Sequence, residues 1–130
     1  MSEFPETLIV ARSDFPSREK APGDFLSKAN PLPASAGTIN AGKTLFLQTA
    51  KPLACAQCHG EKGDGQGLLG AALVPPPRNF TCGRTMKDIP DGQLFWIIKN
   101  GSPGTGMMAF AGMPDDEVWQ VIRYIRSLAR

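Results

Sequence analysis

Cys55 and Cys58 stand three residues apart and His59 follows directly, in the stretch "CAQCH". On a helical turn, positions i, i+3 and i+4 share a face, so both thiols and the imidazole point to one side. Three chemistries use such a set. Two thiols can add to the vinyl groups of a haem while the imidazole reaches the iron, and C-x-x-C-H is the usual signature of that attachment. A Cys3His zinc site would recruit Cys82, but it needs adjacent Cys58 and His59 to turn onto one small ion, and a second ligand pair at normal spacing is missing. A thioredoxin-like dithiol needs a preceding strand and a βαβ context, and neither is visible. The haem reading fits the spacing best.

His59 is the single histidine. A ligand on the second face of an iron therefore cannot be imidazole, and methionine is the natural candidate; a His/Met pair raises the potential relative to two imidazoles. The chain offers Met86, Met107, Met108 and Met113, with Met1 terminal. Methionine more often fills gaps in a core. Met107 and Met108, however, sit in "GSPGTGMMAFAGM", a glycine-rich loop without helical periodicity, where core filling is a poor explanation.

Several elements must hold these groups. Thr38 can cap a helix over 38–49, with Ile39, Gly42, Leu45 and Phe46 at helical spacing. Gly42 weakens that helix and so points to a close backbone approach. After "CAQCH" come the glycine-rich "GEKGDGQG", a short apolar piece over 68–74, and three prolines at 75–77 that force an extended backbone. Leu94, Phe95, Ile97 and Ile98 mark a helix over 91–99, stopped by Asn100-Gly101. The last helix, 115–129, is the best marked: Pro114 precedes it, Asp115, Asp116 and Glu117 open it, and Arg123 and Arg126 lie toward its end. Residues 1–36 carry five prolines among polar residues and read as an extended arm that is partly disordered, wraps the core or docks elsewhere, leaving 37–130 as the domain.

The 130 residues make about one domain, with a core small enough that a cofactor could supply much of the interior. Fourteen basic and 12 acidic residues give a net charge of +2 without a run of one sign, which provides no footprint for nucleic acid. No segment approaches the roughly 20 apolar residues of a membrane span, and the first residues lack the pattern of a signal peptide.

From about residue 30 onward the chain resembles class I c-type cytochromes of the bacterial monohaem type. "NPLPAS" and "INAGKTLF" are similar to their entry and first helix, "CAQCHGEKGDGQG" to their haem-binding segment, "PPPRNF" to their proline loop, and "DGQLFWIIKNGSPGTGMMAF" with "DDEVWQVIRYIRSL" to their methionine loop and last helix. The resemblance implies an all-α cytochrome c fold of about four to five short helices wrapped around one haem c bound through Cys55 and Cys58. It implies His59 as one iron ligand. Where the family commonly has T-G-M-P-A-F this chain has Thr105 through Phe110, which aligns Met107 with the ligand and puts Met108 in place of the proline, as a rival ligand. It further implies that Gly42 and Phe46 meet the last helix near Trp119 and Tyr124. A carbonyl within 75–77, with Pro76 at the centre, is expected to accept the other ring N–H of His59. Arg78 and Trp96 are candidates for the propionates, an exposed arginine and a core tryptophan being the alternatives. Cys82 has no place in the pattern: it is an inert thiol, a site of intermolecular disulfide formation, or a competing ligand.

A six-coordinate iron leaves no open position for substrate, so the expected function is one-electron transfer between a donor and an acceptor protein. The first alternative is the electron-accepting haem subunit or domain of a larger oxidoreductase, and the candidate partners include a catalytic oxidoreductase subunit and a terminal oxidase or reductase. The second is a haem enzyme or gas sensor with a displaceable ligand. Because covalent haem attachment in bacteria normally takes place outside the cytoplasm, the resemblance implies a periplasmic protein whose leader or anchor has been removed.

Overall fold

The computed structural model describes residues 20–130; the first part of the expected arm, with Pro5 and Pro16, lies outside them. Among the described residues there are six α-helices and no strand: α1 Gly23–Leu26, α2 Ala36–Thr44, α3 Ala56–His59, α4 Gly83–Met86, α5 Asp91–Asn100 and α6 Asp115–Leu128. The fold is all-α, with one helix more than expected because α1 forms inside the stretch read as extended.

Helix α2 begins three residues upstream of the expected cap. Ser35, not Thr38, is the N-cap, its Oγ accepting from the Thr38 N–H at 3.2 Å; a serine there satisfies a donor that the helix itself leaves orphaned. After Thr44 the chain widens into a π-helical turn, Leu45–Thr49, closed by the Ala50 N–H on the Leu45 carbonyl at 3.0 Å. That turn buries Leu45 and Phe46.

Helix α6 is the central strut. Its first-turn acids and Arg126 near its end suit the helix dipole. One face buries Val118, Val121, Ile122 and Ile125. Helix α2 crosses it so closely that a Cβ on Gly42 would overlap the Gln120 carbonyl and reach Tyr124 Cβ, which explains the glycine. Phe46, with no exposed surface, packs edge-on against Tyr124 at 5.3 Å between centroids. Trp119 turns instead to α5 and stacks on Phe95 at 4.4 Å. Arg126 closes the α5 side, bonding Asp91 Oδ1 at 2.7 Å and the Met86 carbonyl at 2.8 Å, and also donating to the Ile89 carbonyl.

The described part of the arm is packed. The Ala21 N–H donates to Gln93 Oε1 at 2.7 Å, Phe25 stacks on Phe95 at 6.3 Å, Asn30 Nδ2 donates to the Trp119 carbonyl at 3.0 Å, and Arg123 clasps the Leu32 carbonyl. Residues 20–35 therefore brace α5 and α6, and the edge of the core where Phe46 lies is left to the site.

Candidate cofactor site

The turn that carries the thiols is short and fully tied. The Cys58 and His59 N–H groups both bond the Cys55 carbonyl, at 3.2 and 3.0 Å. Gly60 ends α3 at φ +88°, a conformation that strains any residue with a Cβ. The glycine-rich loop then returns, its Gly65 and Gly67 amides capping the His59 and Cys58 carbonyls at 2.7 and 3.1 Å. Cys55, Cys58 and His59 accordingly line one cleft.

Two contacts set the imidazole. His59 Nδ1–H donates to the Arg78 carbonyl at 3.1 Å, and the ring stacks on Phe80 at 4.4 Å and 22°. A proton held on Nδ1 puts the lone pair on Nε2, the arrangement that metal-ligating histidines use. The expected acceptor lay within 75–77, whereas this bond reaches one residue further. The Phe80 N–H is fixed on the Gly63 carbonyl at 2.7 Å, and that anchor draws the Arg78 carbonyl over to the ring. Pro75, Pro76 and Pro77 line the cleft beside it, as does Arg78 itself.

The cleft opens to solvent at its mouth, and its walls are mostly apolar. Phe46, Leu53, Leu73, Phe80, Phe110 and Ile125 make it apolar, and residues 105–108 complete it. Met107 is half-buried against the core, and Met108 is 40 % exposed. Both line the cleft, whereas Met86 and Met113 are buried in the core, at 1 % and 4 % exposure, and do not. Trp96 is not among the lining residues either: it falls about 100° around α5 from core-facing Phe95, and its carbonyl accepts from Asn100 Nδ2.

Burial pushes the Cys55 thiol up to about 12, helped by neighbouring Cys58, whose own thiol burial also raises. A redox dithiol needs the opposite, a depressed thiol that is nucleophilic near neutrality. Cys82 does not line the cleft; it bonds Thr85 Oγ1 at 3.2 Å, which lowers its thiol below the usual range. Among the described residues no three Cys, His, Asp or Glu side chains converge as a metal site, so the Cys3His set does not assemble.

These residues fit a haem. The cleft is apolar and open at one edge, two thiols and an oriented imidazole share its wall, and a thioether lies in its lining. Ser102 adds a polar group to this lining and is itself buried, at 7 % exposure. Phe80, Ser102 and Thr105 escaped the sequence reading, because each is a lone residue in a loop. Only their places in "PPPRNF" and just before the methionines signalled them.

An all-α fold wrapped around a cleft with a C-x-x-C-H turn is that of a c-type cytochrome domain. Residues 37–125 match the family described as cytochrome c oxidase, cbb3-type, subunit III, and the chain belongs to it. It is 29 % identical over 119 residues to the thiosulfate dehydrogenase of Stutzerimonas stutzeri strain A1501, covering 88 % of this chain and 35 % of that one. It is also similar to a chain of the Kuenenia stuttgartiensis reducing HAO-like protein complex, at 30 % identity and a TM-score of 0.65, over 87 % of this chain and 52 % of that one. The chain thus spans only about a third to a half of these relatives. No helix among the described residues is long and apolar enough to cross a membrane.

Proposed function

We propose that this domain transfers single electrons through one haem c, covalently held by Cys55 and Cys58, with His59 and Met107 as the axial ligands. The observation that carries the reading is the shared cleft: two thiols, an imidazole locked through Nδ1, and a thioether lie in one apolar lining. A haem supplies an iron that cycles between ferric and ferrous. The chain supplies the rest. Cys55 and Cys58 would hold the haem, each by addition of its S–H across a vinyl C=C, with no leaving group. His59 offers Nε2 at a fixed angle, while the apolar walls exclude water, so little reorganisation accompanies each electron. Arg78, which lines the cleft, is the candidate partner of a propionate, and Met108 is the alternative thioether.

The mouth of the cleft favours brief docking. Neither 67–77 nor 101–114 contains a charged residue, and Met108, which lines the cleft, is exposed. Association with donor and acceptor proteins is then weakly dependent on salt.

The relatives' names support a second reading, in which this is the haem-bearing domain of a larger oxidoreductase. One relative is a dehydrogenase and the other belongs to a complex, and each chain is much longer than this one. Co-purification with a catalytic subunit favours it over a free carrier. Both readings place the native protein in the periplasm, and native haem protein found in the cytosol contradicts that. The direct test is to extract the purified protein with acid acetone and titrate it potentiometrically. The haem stays with the polypeptide and titrates as one n = 1 centre; extractable haem, or fast carbon monoxide binding by the reduced protein, sinks the proposal in favour of an enzyme or sensor.

A further inference from the structure

The loop that carries the methionines is stitched by one side chain. The Thr105 hydroxyl donates to the Ser102 carbonyl at 2.6 Å and accepts the Met107 N–H at 3.1 Å. The Thr105 N–H also reaches the Ser102 carbonyl at 3.0 Å, and the Ser102 N–H returns to the Met107 carbonyl at 3.2 Å. Residues 102–107 therefore close into a ring in which the hydroxyl bridges the first residue and the methionine. Ser102 is buried, so the ring has a fixed foot in the cleft. Met108, one residue on, lies outside these bonds and is exposed. In this loop no proline follows Met107 to stiffen the backbone, so the hydroxyl is the device that ties the Met107 backbone, while Met108, which also lines the cleft, is left outside the ring.

We propose that Thr105 is a positioning residue for the sixth ligand: its hydroxyl holds the Met107 backbone at the cleft and so favours Met107 over Met108 as the ligand. The inference rests on Met107 ligation as read above. The test compares holoprotein of wild type, Thr105→Val, which keeps the shape but loses both side-chain bonds, Thr105→Ser, which keeps the hydroxyl, and Met107→Ala. Four readouts are taken: the far-red charge-transfer band of the ferric form, carbon monoxide binding to the ferrous form, protection of the Met107 amide from hydrogen exchange, and the melting temperature.

Thr105→Val is expected to weaken the band, to speed carbon monoxide binding about tenfold, in keeping with the loss of one or two hydrogen bonds, and to expose the Met107 amide, with Thr105→Ser restoring all three. The inference is overturned if Thr105→Val keeps the band, the slow binding and the amide protection, whatever its melting temperature, or if Thr105→Ser fails to restore them. A Met107→Ala protein that keeps the wild-type band, or a wild type with no band, overturns the ligation reading and this inference together. Band loss in Met107→Ala alone overturns only the role of Thr105.

Discussion

The two regions that frame the cleft are built to different standards. Around His59, the turn, the glycine-rich loop and residues 78–80 are cross-tied by backbone hydrogen bonds, and the imidazole is stacked and bonded at once. The methionine loop is tied to itself through Ser102 and Thr105, and its bonds to the rest of the molecule include the Gly101 N–H on the Ile97 carbonyl at 2.7 Å, the Phe110 N–H on the Ile98 carbonyl at 2.8 Å and Lys99 Nζ on the Met113 carbonyl at 2.7 Å. The difference assigns the roles. One side is a fixed anchor, and in the proposed ligation the other is an adjustable contact, whose hold on an iron would set the potential and the access of other ligands.

Breaking the anchor has the largest effect. His59→Ala, or loss of both Cys55 and Cys58, yields protein without stably attached haem, seen as loss of haem stain on a denaturing gel. Phe46→Ala comes next: it empties a fully buried site between Tyr124 and the His59 ring and costs about 3–5 kcal/mol in a denaturant melt. Lys99→Met acts on the other side. Its pair with Asp115, at 3.1 Å, is largely screened because Asp115 is exposed, but the bond to the Met113 carbonyl is worth about 1–2 kcal/mol. Its effect is expected to appear more in carbon monoxide binding than in melting temperature. Equal shifts of both readouts would erase the distinction between the two regions.

The smallest effect belongs to Cys82→Ser, which leaves the visible spectrum and the potential unchanged because Cys82 does not line the cleft. Its bond to Thr85 favours the thiolate. Alkylation of Cys82 in the wild type therefore reaches half-maximal rate at a pH below that of an ordinary cysteine, and Thr85→Ala moves it back up. A Cys82→Ser spectrum that changes would return this thiol to the list of iron ligands.

Much of this was legible because periodicity and spacing report local geometry. Acids, apolar stripe and proline start place α6 to within a residue, and Gly42 announces the helix crossing that it makes. The C-x-x-C-H spacing alone puts three groups on one face. What stayed hidden depends on contacts between distant loops. The Arg78 carbonyl reaches His59 because Phe80 is pinned to Gly63 far along the chain, and the Ser35 cap displaces Thr38 by three residues. Trp96 looked like a propionate ligand by type, yet its place on α5 keeps it out of the cleft lining. Residues 20–35 pack because Phe25, Asn30 and Leu32 find partners on α5 and α6 that a proline-rich composition does not announce.

The central claim is that Met107 completes the iron site opposite His59. Its most direct test is the optical spectrum of the ferric protein in wild type, Met107→Ala and Met108→Ala, read at the weak far-red band that methionine sulfur gives on ferric haem iron. The account predicts the band in wild type and Met108→Ala and its loss in Met107→Ala. A band that survives Met107→Ala, or is absent from wild type, contradicts it.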